Sequence, residues 1–275
     1  MKDKLGRRSL LVGSLAIGLT AADAWLIEPR WIEVERVDLP IQGLGDAWHE
    51  ATVALLSDTH CGPYTEPSHI EHAVEIANGL DPDMVLLLGD YVHRGPKYIE
   101  PGIAPFAKLR AREGVFAVLG NHDHWDGRDL SLRELKRAGV DTLTNRSVVL
   151  RRRGDPLAIG GVGDLMEDVQ LLEQAFSQCA QSTPRILMEH NPDYAEEMPR
   201  DVRVDLMVSG HTHGGQVRVP FYGAPILPSR YKKYQQGLVD GPACKVYVTR
   251  GVSTIAPPVR FLCRPEITLL RLMVG

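Results

Sequence analysis

The chain has 275 residues, 44% of them hydrophobic and 24% charged, the balance of an ordinary globular protein with one large core or at most two domains. A formal net charge of −4 leaves no global basic field to attract nucleic acid, and the sequence holds no nucleic-acid-binding module and no internal repeat. The four cysteines, Cys61, Cys179, Cys244 and Cys263, lack C-x-x-C spacing, which argues against a structural zinc site.

The N-terminal residues differ from the rest. Lys2, Lys4, Arg7 and Arg8 form a basic stretch, residues 10–20 are apolar and uncharged, and Ala22-Asp23-Ala24 fits an A-x-A cleavage pattern. Arg7-Arg8 followed by Ser9-Leu10-Leu11 resembles a twin-arginine export signal. Residues 1–24 are therefore expected to be a signal or a membrane anchor, although an anchor would have to carry Asp23 within its apolar run. Either reading predicts export across, or anchoring at, a bacterial cytoplasmic membrane, on its outer (periplasmic) face. The partners would be that inner-membrane surface and, for export, the twin-arginine translocon. Residues 25–50 read as a lead-in with an edge strand over 31–45, and residues 51–275 as the main domain.

Within that domain, short apolar runs end in polar clusters. Residues 52–56 lead into Asp58-Thr59-His60, and 84–88 into Gly89-Asp90. Residues 115–119 lead into Gly120-Asn121-His122-Asp123, 185–188 into Glu189-His190, and 205–208 into Ser209-Gly210-His211-Thr212-His213-Gly214-Gly215-Gln216. Runs this short, rich in Val, Leu and Ile and bounded by Gly or Asp, predict buried strands. Between the first two, Ile70, Ala73, Val74, Ala77 and Leu80 share one helical face, and Gly79 with Pro82 can end the helix. Residues 130–138 and 169–180 are further helix candidates, and 245–249 and 267–272 further strands. Strands alternating with helices predict an α/β fold with a largely parallel sheet, in which ligands bind beyond the carboxyl ends of the strands. Every polar cluster falls at such an end. The donors are carboxylates, imidazoles and one amide oxygen, a set that suits Mn, Zn or Fe. Two divalent ions need a bridging group, and a carboxylate such as Asp90 has the two oxygens for it.

The order D-x-H, G-D, G-N-H-D, H, G-H-T-H resembles the calcineurin-like metallophosphoesterase superfamily, over about residues 51–270. The tail 210–216 with Tyr247-Val248-Thr249-Arg250-Gly251 and Cys263-Arg264-Pro265-Glu266 is similar to a bacterial branch of exported or membrane-associated phosphoesterases. The resemblance implies a four-layer αββα sandwich. It implies that Asp58, His60 and His213 hold one metal, that Asn121, His190 and His211 hold the other, and that Asp90 bridges them. A hydroxide between the ions would attack phosphorus, and His122 would assist the leaving group, with Asp123 a candidate to hold His122. The substrate expected is a small phosphodiester or pyrophosphate, lipid-linked species included. The alternatives are a broad phosphomonoesterase and a metal-binding scaffold that has lost catalysis. Gly89-Asp90-Tyr91-Val92-His93-Arg94-Gly95 resembles the G-D-x-V-D-R-G of protein phosphatases except that His93 replaces the second Asp, which argues against a protein phosphatase.

Other positions carry two readings each. Arg94 and Arg218 could meet an anionic substrate or face solvent. His124 and Trp125 either line the substrate entrance or pack their loop. Tyr231-Lys232-Lys233-Tyr234, within the Pro/Gly-flanked stretch 220–241, is a specificity element or a solvated turn. Arg151-Arg152-Arg153 is expected to cap a hairpin in solvent, and His69 and His72 to lie on the surface. Asp164 reads as structural, Cys61 as a small buried residue at its turn, and Cys244 with Cys263 as a candidate pair.

Overall fold

A computed structural model describes Ser14 and residues 18–275. Lys2, Lys4, Arg7 and Arg8 lie outside the described residues. Among those described, no helix is long and apolar enough to cross a membrane.

The described strands form two six-stranded sheets. The first contains β1 (Glu33–Ile41), β2 (Thr52–Leu56), β3 (Met84–Leu87), β4 (Gly114–Ala117), β5 (Asp141–Thr142) and β12 (Glu266–Val274), in the order β1-β12-β2-β3-β4-β5. The second contains β6 (Arg146–Arg152), β7 (Asp155–Gly161), β8 (Arg185–Met188), β9 (Leu206–Ser209), β10 (Gly237–Asp240) and β11 (Lys245–Val248), in the order β10-β11-β9-β8-β7-β6. Strands β2 to β5 run parallel, as do β7, β8, β9 and β11. The expected edge strand is β1, which joins the sheet beside β12 with Glu33 opposite Glu266.

Alternation along each strand builds the layers. In β2, Val53 and Leu55 turn into the space between the sheets, where they meet Ile159, Ile186 and Val208, while Ala54 and Leu56 face the helices. In β3, Met84 and Leu86 share that inner core, and Val85 and Leu87 the outer one. Helix α1 (Pro67–Gly79) covers the outer face with Ile70, Ala73, Val74 and Ala77. The short helix α2 (Ile99–Ile103) and the longer α3 (Asn121–Arg137) complete that layer. On the far side, Ala158, Leu187, Met207 and Val246 pack against Leu172, Phe176 and Tyr194 of short helical segments. The result is the αββα sandwich, with helices on both outer faces.

Several local expectations are corrected. Helix α3 starts at Asn121 and bends at Gly127 (φ 147°), so it covers far more than 130–138. The candidate helix 169–180 shrinks to Leu172–Ala175. Residues 151–153 do end a hairpin, but Arg152 leaves solvent: it pairs with Asp83 and Glu113 and lies 4.5 Å over the ring of the buried Trp48. His69 is tucked in, its Nε2 2.7 Å from the carbonyl of Val252, whereas His72 is exposed. All four cysteines are free, so Cys244 and Cys263 form no disulfide, and Cys61 is buried at its turn.

Candidate metal centre

The carboxyl ends of β2, β3 and β4 in one sheet and of β8 and β9 in the other converge, and the polar clusters close over the gap. Cross-sheet hydrogen bonds lock the convergence. The amide of His211 donates to both carboxylate oxygens of Asp58 at 3.2 Å, and the amide of Val252 to the carbonyl of Ser57 at 3.0 Å. The approach is so close that a Cβ on Gly210 would stand 2.0 Å from the Ser57 hydroxyl and 2.4 Å from Asp58 Oδ2. Asp58, His60, Asp90, His211 and His213 all have positive φ, between 41° and 69°. Non-glycine residues adopt this region at a cost, and such strain concentrates at functional sites.

Two groups of donors result. Asp58, His60 and His213 form one: His213 Nε2 lies 3.3 Å from Asp58 Oδ1 and 3.1 Å from His60 Nε2. Asp90, His190 and His211 form the other: His190 Nε2 lies 3.2 Å from Asp90 Oδ2 and 3.3 Å from His211 Nδ1. Asp90 Oδ2 is also 3.5 Å from His60 Nε2, so this one oxygen stands between the groups.

These residues fit divalent cations. His190 Nδ1 donates to the carbonyl of Leu88 at 2.7 Å, which turns Nε2 toward Asp90 and His211. Acceptors converging on one point need a positive charge among them. The Asn121 side-chain oxygen is buried beside them without a hydrogen-bond partner, the state of an acceptor reserved for an ion. Burial pulls His211 down to about 4 and His213 to about 3, so both rings are neutral and able to ligate at pH 7. Burial works against ionisation of Asp58 too, but the facing imidazoles hold it well below the usual carboxylate range.

His122 and Asp123 separate in role. Asp123 Oδ2 accepts the amides of Asp90 (2.8 Å) and Gly120 (2.9 Å), and Oδ1 that of Tyr91 (2.8 Å). It ties the loops of Asp90 and Asn121 together, and none of those three bonds comes from His122. The ring of His122 meets His93 instead, Nδ1 to Nδ1, at 3.2 Å. The main-chain amide of His122 donates to Asp90 Oδ1 at 2.9 Å.

A cleft of ≈ 670 Å³ opens over His60, Asp90, Asn121, His122, His211 and His213. Trp125 lines it, its ring 4.7 Å from that of His122 and its Nε1 bonded to Glu167. Neither Arg94 nor Arg218 lines it. Arg94 contacts Tyr64, and Arg218 donates to Gly214 and Gln235. The arginine on the wall is Arg230: its main-chain amide, like the hydroxyl of Ser229, donates to the carboxylate of Asp193, and its exposed guanidinium lies 3.4 Å from Glu197 Oε1.

The chain's match to a family model extends over residues 51–215, three-fifths of its length and all seven candidate ligands, and that model is described as calcineurin-like phosphoesterase. The chain belongs to the calcineurin-like phosphoesterase family. A phosphoester hydrolase of this family requires divalent metal, and the two donor groups are where the chain can bind it. The chain is 34% identical to the phosphodiesterase YaeI of Escherichia coli, over 90% of each chain. It is 30% identical to an uncharacterized metallophosphoesterase, YkuE, of Bacillus subtilis, over 98% of each. Among solved structures it is similar to the NAD nucleotidase NadN of Haemophilus influenzae (TM-score 0.48, 17% identity, 74% of this chain and 45% of that one).

This metallophosphoesterase also uses residues that its motifs do not announce. Arg260 is fully buried and pairs with no carboxylate among the described residues. Its guanidinium donates to the carbonyls of Arg250, Gly251, Ser253 and Cys263 and, at 3.4 Å, to that of the ligand candidate His213. Little in the local pattern around residue 260 signals this, because only Cys263 is a near neighbour and the other four carbonyls lie 7 to 47 positions away. Asn191 and Asp193, by contrast, follow His190 almost directly, and that proximity was the available signal.

Proposed function

We propose that this phosphoesterase hydrolyses phosphodiesters or pyrophosphates at a dinuclear centre of Mn, Zn or Fe, at the outer face of a bacterial cytoplasmic membrane. The position of Asp90 Oδ2 between His60 and His190 carries the two-ion reading, since a carboxylate that faces both donor groups can join them into one centre. Asp58, His60 and His213 would hold one ion, and Asn121, His190 and His211 the other. When bound, the pair supplies Lewis acidity and an activated water.

The residues of the chain do the rest. Asp123 fixes the Asp90 and Asn121 loops, so the two donor groups keep their spacing. His122 assists the leaving group. Burial takes its imidazole down to about 4, so at neutral pH it offers an N–H to the departing oxygen rather than a full positive charge. His93 fixes the plane of that ring. Arg230, on the cleft wall, is the cation placed to meet phosphate oxygens, in place of Arg94 and Arg218.

The name of the Escherichia coli relative supports diesters over monoesters. The apolar run 10–20 and the pair Arg7-Arg8 support the outward address, through the twin-arginine translocon, and with it a lipid-linked substrate. Hydrolysis of bis-p-nitrophenyl phosphate against p-nitrophenyl phosphate by the Mn²⁺-loaded protein tests the reaction class. A diester preference is expected, and a monoester preference would replace the reading by a phosphatase.

A further inference from the structure

A second cavity, of ≈ 460 Å³, opens beside the metal cleft and shares His213, Pro228 and Ile255 with it. Val217, Ile226 and Leu227 form one wall, and Ala256, Pro257 and Val259 the other. The walls are tied where the amide of Phe261 donates to Gln216 and that of Arg218 to Phe261, both at 2.9 Å.

The polar side chains in this lining, His213 excepted, are already committed. The Thr212 hydroxyl donates to the carbonyl of Gln235 at 2.8 Å. The Gln216 side chain accepts the amide of Ile255 at 2.8 Å and donates to the carbonyl of Pro257 at 3.4 Å. His213 belongs to the metal centre. A peptide, sugar or nucleobase here would lose its hydration without recovering hydrogen bonds, which costs a few kcal/mol per group. A hydrocarbon chain needs no partner. The volume admits roughly fifteen methylene-sized groups, at about 30 Å³ each, the share of a water molecule.

We propose that this cavity holds an alkyl or acyl chain carried by the phosphoester itself, with the phosphate seated at the adjoining metal centre. The inference rests on the phosphoesterase reading, because the shared wall at His213, Pro228 and Ile255 joins chain to head group. Ile226 on the cavity wall is 82% exposed, and Phe221 and Tyr222 on the same loop are exposed as well. Apolar side chains in that position suit a chain drawn from a bilayer.

The test is calorimetric binding of methyl, butyl, hexyl and octyl phosphate to the Mn²⁺-loaded full chain. If half of each methylene is buried, affinity rises about twofold per methylene, roughly a hundredfold from methyl to octyl. Ile226→Glu, on an exposed side chain that the fold does not depend on, and Val259→Glu, deeper on the facing wall, should both flatten the series. Equal affinity across the series in the unaltered chain overturns the proposal, as does a slope that survives both substitutions. Turnover of bis-p-nitrophenyl phosphate by the same preparation reads the reaction class separately. Turnover with a flat series removes the chain-binding cavity and keeps the diesterase. A steep series without turnover keeps the cavity and removes the diesterase.

Discussion

The Nδ1 atoms of His93 and His122 stand 3.2 Å apart, so one ring donates the proton that the other accepts. In the G-D-x-V-D-R-G pattern of protein phosphatases, which residues 89–95 resemble, an Asp stands where this chain has His93. Burial holds both rings down to about 4. His122→Ala should lower kcat on a diester by about 10²- to 10⁴-fold with bound metal unchanged. His93→Ala should cost less, and the double variant should be no worse than His122→Ala, because both act on one proton. Additive losses in kcat would separate the two residues.

Asp90 faces both donor groups through a single oxygen. Asp90→Ala should therefore lose at least one equivalent of metal together with activity. Metal content by atomic emission after dialysis measures this, and two retained ions would contradict the bridging role.

Asp123 is fully buried and accepts three amide hydrogens. Asp123→Ala would leave those donors unpaired, at about 1–3 kcal/mol each before relaxation. Urea unfolding should show a loss of about 3 kcal/mol or more, with weakened metal binding. A stability near that of the unaltered chain would mean that water replaces the carboxylate at no cost.

Gly210 leaves no room for a methyl group between Ser57 and Asp58. Gly210→Ala should destabilise by about 1–3 kcal/mol through overpacking. Because the displaced atoms include the carboxylate of the candidate ligand Asp58, the affinity for metal should fall further than at a control such as Gly79→Ala, where a Cβ meets nothing within 4 Å. Competition with a fluorescent chelator gives the comparison.

Asp83 joins the sheets at the end away from the metals. Burial pushes its carboxyl upward, but the amide of Thr52 at 2.7 Å and the guanidinium of Arg152 outweigh that and hold it below its ordinary value. A carboxyl with a lowered folded pKa contributes stability that is fully present above the unfolded value, about 3.9, and is lost as pH falls through the folded one. Asp83→Asn should cost about 1–3 kcal/mol at pH 7. The difference from the unaltered chain should shrink as pH drops below 4, and a constant difference from pH 7 to pH 3 would exclude the linkage.

Much of the fold was legible because its signals are local. The five-residue runs before Asp58 and Asp90 carry their polar cluster immediately after the strand, so periodicity and ligand type could be read together. The overlong expectation for 169–180 and the short one for 130–138 failed at helix ends, where packing and the bend at Gly127 override the pattern.

By itself the sequence determined the element types and the polar clusters at the strand ends, since each follows from neighbours a few positions apart, while the two-sheet sandwich and the set of seven candidate ligands followed from its resemblance to a family. Tertiary structure alone decided that Asp123 binds amides and not His122, and that Arg152 crosses to Asp83. It alone decided that Arg230 and not Arg94 or Arg218 walls the cleft, that Arg260 donates to the carbonyl of His213, and that an apolar cavity adjoins the candidate metal centre. These contacts join residues separated by tens to hundreds of positions. They are set by how the two sheets meet, and no local pattern encodes that.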